Sequence, residues 1–174
     1  GFRYYVGMHQ IPGLSPPSAP FTAVKKIKVG EAIGWEGNVT TNTQISINKP
    51  ELFGGDKKEG GVVGTVDIEF GGVAQGVNSY LAAKMGGLMP AFRGLLGLVL
   101  RSPQVSSMNP YIKPWAIYAS RINGGFYPAK AAIGESMNPA HIIYEVLTSY
   151  EFGIGMAPSD IDLASFTAAA DTLY

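Results

Sequence analysis

The sequence predicts an α+β fold: a β-rich body, barrel-like or built of mixed antiparallel sheets, followed by two C-terminal helices. Three observations predict it. Gly (23) and Pro (12) are spread along all 174 residues, as in short strands joined by many turns. Apolar residues alternate with a period of two through residues 62–70. Beyond Gly134 the apolar spacing becomes helical. The expected division is residues 1–135 as a β-rich module and 136–174 as a helical pair cut short at its C-terminal end.

Taken in order, residues 3–9 are aromatic and β-prone, a first strand. Residues 11–20 hold four prolines with Gly and Ser, an extended loop. Residues 24–29 alternate apolar side chains with Lys25, Lys26 and Lys28, a half-buried strand whose lysines suit a guarded sheet edge. Gly34-Trp35-Glu36-Gly37 reads as a turn, and residues 44–48 alternate again. Residues 53–61 are Gly-rich and charged, a flexible loop. In residues 62–70, Val66, Ile68 and Phe70 face one way and Thr65, Asp67 and Glu69 the other. Residues 92–101 form a continuous apolar run, a strand buried on both faces. Trp115, Ile117 and Ala119 alternate behind Pro114, where a missing N–H is tolerated.

The helical end has its own punctuation. Asn138-Pro139 places a capping residue before Pro at the first helical position. Ile142, Ile143, Val146, Leu147 and Tyr150 then form the expected apolar face, with Gly153 as the stop. Ser159 is the expected cap of a second helix, whose face is Leu163, Phe166, Ala170 and Leu173. The chain opens on Gly1 and stops at Tyr174 inside a helical pattern, so it reads as a piece of something longer.

Composition narrows the function. Thirteen basic residues balance thirteen acidic ones, and charged residues are 15% of the chain against roughly 25% in an ordinary domain. That surface offers no electrostatic footprint for nucleic acid, and its neutrality favours self-association. Absence of cysteine excludes disulfides, thiol catalysis and thiolate metal sites. The apolar stretch 88–100 is broken by Pro90 and Arg93 and is too short to span a bilayer.

No catalytic constellation stands out. His9 and His141 lie far apart and fit no metal-ligand spacing, so His141 is expected to be partly exposed or interfacial. Gly60-Gly61-Val62-Val63-Gly64 precedes a strand, whereas a phosphate loop follows one and opens a helix. Asp67 and Glu69 share a strand face, but no sequence feature desolvates them, so they read as solvated. Asp160 and Asp162 fall where a helix N-terminus favours acids. The expectation is no catalytic, cofactor or metal site. Trp35, Phe126 and Tyr127, beside glycines, are the candidate interface anchors, with turn-proximal core aromatics as the competing reading.

One segment carries a sharper signal. Asn138-Pro139-Ala140-His141-Ile142-Ile143-Tyr144-Glu145-Val146-Leu147-Thr148, then Phe152-Gly153-Ile154-Gly155 and Ser159-Asp160-Ile161-Asp162, resembles the tail tip attachment (host specificity) proteins of lambda-like siphophages. Asn48 to Asp56, Glu59 to Gly64, Pro90-Ala91-Phe92-Arg93-Gly94 and Asn109 to Trp115 are similar to the same family. The resemblance implies a homotrimeric central hub that closes the distal tail tube and meets other tail-tip and tail-tube proteins. It implies location at the virion tail tip, or in the host cytoplasm during assembly, from a virion or a prophage locus. The receptor-binding region would lie outside this chain. The competing reading is a carbohydrate-binding β-rich module using Trp35 or Trp115.

Overall fold

The computed structural model describes residues 5–8, 21–86, 88–105, 113–150 and 153–174, giving the backbone alone for 5–8 and 102–104. The expected loop at 11–20, His9, Asn109 to Ile112 and Phe152 lie outside the described residues. The chain forms two compact units, Gly1–Ala119 and Ser120–Tyr174. Residues 120–135, counted above with the β-rich module, belong to the second unit. Their contacts explain this: the Phe126 ring stacks on His141 of α2, and Ala131 O accepts from Asn138 N at the start of that helix.

The first unit contains β1 (Tyr5–Met8), β2 (Ala23–Val29), β3 (Ala32–Val39), β4 (Thr43–Lys49), β5 (Val62–Glu69), α1 (Ser79–Met85), β6 (Leu96–Val105) and β7 (Trp115–Ser120). One sheet has the order β1-β6-β5-β4 with antiparallel pairing throughout, and a second has the order β3-β2-β7. The fold is thus α+β and β-rich. Among the described residues the strands form separate sheets and not a closed barrel.

The period-two alternation of β5 makes this core. Val66 and Ile68, continued by Phe70, face inward and meet Ile47 of β4 with Leu96, Leu98 and Leu100 of β6. Val24, Ile27 and Val29 of β2 complete the cluster. Burying each of these large aliphatic side chains contributes about 1.5–3 kcal/mol, which the loss of chain entropy largely offsets. Val24 and Ile27 are three apart, yet both point inward. The β2–β3 register shifts between Val24 and Lys26, where the extra residue lies on β3: two steps of β2 oppose three from Val39 to Glu36. The run 92–101 becomes β6 from Leu96 onward. Val99 on its outer face is buried as well as the three leucines, as a doubly covered strand requires.

Several local expectations change. Gly34-Trp35-Glu36-Gly37 does not turn but lies within β3, because Gly34 clears space beside Val29: a Cβ there would sit 3.3 Å from its Cγ2. The turn comes earlier. Gly30 has φ +58°, and Gly30-Glu31 joins the Val29–Ala32 pair as a two-residue hairpin. The lysines of β2 do not guard an edge, since β2 is the middle strand of its sheet. Lys26 instead pairs across the ladder with Glu36 at 2.8 Å, and Lys28 reaches Glu31 at 3.1 Å. The loop 53–61, expected to be flexible, is a hydrogen-bonded double turn. Phe53 N donates to Gly60 O at 2.8 Å, and Gly55 and Gly60 bridge each other.

The second unit holds the short ladder β8 (Ala132–Ile133) and β9 (Ser136–Met137), then α2 (Pro139–Thr148) and α3 (Leu163–Leu173). Asn138 caps α2 as expected, its side chain accepting from Ala140 N at 3.0 Å, with Pro139 in the first turn. The cap of α3 is Asp162, not Ser159. Asp162 Oδ1 accepts from Ala164 N and Ser165 N, while residues 158–160 form a separate 3₁₀ turn. A short carboxylate side chain with two free N–H groups ahead of it is the stronger acceptor.

Candidate functional site

In the first unit the chemistry-bearing residues gather on the outer face of the β1-β6-β5-β4 sheet. Alternation turns Asp67 and Glu69 away from the core, and register sets Gln44 on one side of Asp67 and Val99 on the other. These carboxylates are not solvated. Asp67 is 7% exposed and Glu69 9%, because the segment carrying α1 crosses above them. Arg101 Nε donates to both oxygens of Asp67 at 2.8 Å, Gln44 Nε2 to Oδ1 at 2.9 Å, and Asn78 Nδ2 to Oδ2 at 3.0 Å. The same Asn78 amide donates to Glu69 Oε1 at 2.8 Å. The Tyr80 ring lies under the Arg101 guanidinium, 5.1 Å away.

Burial pushes the Asp67 carboxyl upward, but the hydrogen bonds from Arg101, Asn78 and Gln44 and the Arg101 charge outweigh it and hold it below the usual carboxylate range. A general acid or base near neutrality needs the opposite shift and an open lone pair. Asp67 has neither, and its geometry is that of a structural ion pair. Among the described residues no group of three His, Asp or Glu side chains is arranged to hold a metal ion.

The second unit is centred on Asn138 and His141, both buried. Asn138 closes three connections: its N donates to Ala131 O, its Oδ1 caps α2, and its Nδ2 donates to Ala170 O of α3 at 3.0 Å. His141, expected to be partly exposed or interfacial, is 1% exposed and stacks on Phe126 at 4.5 Å between ring centroids. Its Nε2 lies 2.9 Å from Tyr127 O. A carbonyl only accepts, so Nε2 carries the proton, and the buried Nδ1 has no hydrogen-bond partner. Tyr144 meets Phe126 tilted, and Phe166 meets both rings edge-on. Glu145, the charged residue of α2, is ion-paired to Arg121.

The apolar pattern of α2 therefore splits between two faces. Ala140, His141 and Tyr144 pack inward. Of the expected apolar face, Ile142, Ile143 and Val146 are 48%, 53% and 50% exposed and Tyr150 83%, while Leu147 is half-buried. Ile154 joins them, because its N donates to Val146 O at 2.8 Å. Gly153 permits that return, since a Cβ there would collide with Val146 O. Among the described residues, Ile142, Ile143, Val146, Tyr150 and Ile154 are all apolar or aromatic and exposed. The sequence showed these residues as an apolar face but not which side of α2 meets its own unit, because Ile and Val outrank Ala, His and Tyr in hydropathy.

The three candidate anchors are placed elsewhere. Trp35 packs partly buried against the first unit's core. Phe126 sits in the His141 stack, and Tyr127 donates its hydroxyl to Asp171 at 3.2 Å. The structure brings Phe126 and Tyr127 together with His141. Trp115 also packs on the first unit's core, with Nε1 buried. No helix of the described residues is long and apolar enough to cross a membrane. No protein-family model matches the chain, and a search of curated proteins found no match.

Proposed function

We propose that this chain is a non-catalytic structural segment of a phage tail tip, part of a homotrimeric central hub that closes the distal tail tube and supports host attachment. The observation that carries the reading is the exposed second face of α2. It lies inside the very segment, Asn138 to Asp162, whose sequence resembles the tail tip attachment proteins of lambda-like siphophages. A helix that buries Ala140 and His141 in its own unit yet leaves Ile142, Ile143 and Val146 uncovered is built for subunit contact. The engagement of Asp67 by Arg101, Gln44 and Asn78 supports a structural and not a catalytic role.

In this reading the partners are further copies of the chain and neighbouring tail-tip and tail-tube proteins, and the location is the virion tail tip. Antibodies against residues 139–174 should label the distal tail end of purified virions in electron micrographs. Virions whose proteome lacks the chain would refute the assignment. Glycan-array binding that disappears on Trp35→Ala or Trp115→Ala would replace it with a carbohydrate-binding role.

A further inference from the structure

Between β5 and β6 the chain makes a long excursion whose base and tip are held differently. At the base, Gly94 N donates to Gly71 O at 2.6 Å, and the buried Gln75 side chain accepts from Gly71 N and Asn42 Nδ2 while donating to Ala91 O. Arg93 Nε donates to Gln75 O at 2.9 Å. Phe92 adopts φ +48°, a left-handed conformation that a bulky residue keeps only where its surroundings enforce it. The base is a hydrogen-bonded knot.

Beyond it the anchoring changes in kind. Helix α1 spans seven residues and buries none of them fully; Tyr80, Leu81 and Ala82 are only half-buried, so little of the apolar burial that normally holds a short helix is present. Val77 and Met85 on this stretch face outward. Asn78 stands in for that burial with one side chain. Its Oδ1 caps α1 by accepting from Leu81 N at 3.1 Å, and its Nδ2 clasps both Asp67 and Glu69. Tyr80 adds its ring beneath Arg101, which already holds Asp67.

We propose that residues 76–86 are a latched flap, held to the sheet by the Asn78 clasp on Asp67 and Glu69, which opens as a unit while the strands and the Gln75 knot stay folded. The clasp is the weak point, because one primary amide joins an element with no fully buried side chain to two carboxylates on one strand, with the Tyr80 ring beside it under Arg101. The sheet below has its own core of Val66, Ile68 and Leu98 and does not depend on α1.

Asn78→Asp separates the clasp from the cap. Aspartate caps a helix as well as asparagine, but it removes both N–H donors and sets a third carboxylate beside Asp67 and Glu69. Asn78→Ser keeps a cap acceptor and removes the clasp without adding charge. Hydrogen exchange followed by mass spectrometry on the whole chain should show amides 79–86 exchanging about tenfold faster or more in both variants. Peptides from β5 and β6 should stay within about twofold of the unsubstituted protein. Unchanged exchange at 79–86 in Asn78→Ser would overturn the proposal, since something other than the clasp would then hold α1. Parallel acceleration of β5 and β6 in Asn78→Ser would overturn it equally, because the flap would be part of the cooperative core.

Discussion

Replacing Asp67 by Asn tests how the polar outer face of the first unit is held together. Asp67 accepts from three side chains, Arg101, Gln44 and Asn78, and its side chain is only 10% exposed. Asparagine keeps one acceptor oxygen and turns its other end into a donor that faces donors. At least one of the three partners then loses its acceptor, at about 1–3 kcal/mol for a buried group. Arg101 is one-third exposed and can turn to water, which discounts the ion-pair part. The net expectation is a loss of about 2 kcal/mol at neutral pH, equivalent to roughly 10 °C in the melting temperature of a unit this size. The pH dependence gives a second, independent sign. Asp67 titrates lower in the folded chain than in the unfolded one, so its contribution is complete above the ordinary aspartate value of about 3.9. That contribution fades as pH falls from there through the folded value. Urea titrations between neutrality and pH 3 should show an acid-side loss of stability that is shallower in Asp67→Asn. A change below about 0.5 kcal/mol at neutral pH, or an identical acid-side slope, would refute the reasoning.

Three further substitutions address the other features. Asn138→Ala removes the α2 cap and leaves Ala170 O without its donor, so the second unit should lose about 2 kcal/mol by thermal unfolding. Asn138→Asp keeps the cap and should recover part of that loss. Asp162→Ala should cost about 1 kcal/mol while Ser159→Ala costs almost nothing, which circular dichroism melts would distinguish and which fixes the cap of α3. Gly30→Ala should destabilise by about 1 kcal/mol in the same assay, because φ +58° is strained for alanine.

How much of this was legible beforehand varied with the physics involved. The strand at 62–70 and the Asn138-Pro139 helix start were readable because period and capping are local properties of the chain. The burial of Asp67 and Glu69 was not. It depends on Asn78, Gln44 and Arg101, which come from three other parts of the sequence, and no local pattern announces them. Helix α1 went unplaced for a related reason: Ser79–Met85 has no fully buried residue, so no strong apolar period marks it. At Gly34 the composition suggested a turn, but the glycine serves close packing beside Val29 in mid-strand. Helix α2 was legible, but which of its faces packs inward was not. Hydropathy alone cannot tell which of two apolar faces meets its own unit when the inner one is made of Ala140, His141 and Tyr144. The candidate surface was therefore present in the sequence as residues but not as a surface.

The central claim is that the exposed face of α2 is an assembly surface of a tail-tip hub. The most direct test is the mass of the full-length protein in solution, measured by light scattering with and without the pair Ile143→Asp and Val146→Asp. Both positions are about half exposed, so the substitutions should leave the fold of the second unit intact, as its far-ultraviolet circular dichroism would confirm. The account expects a trimer that becomes a monomer in the variant. A protein that is monomeric without substitution, or a trimer that survives both carboxylates, would contradict it.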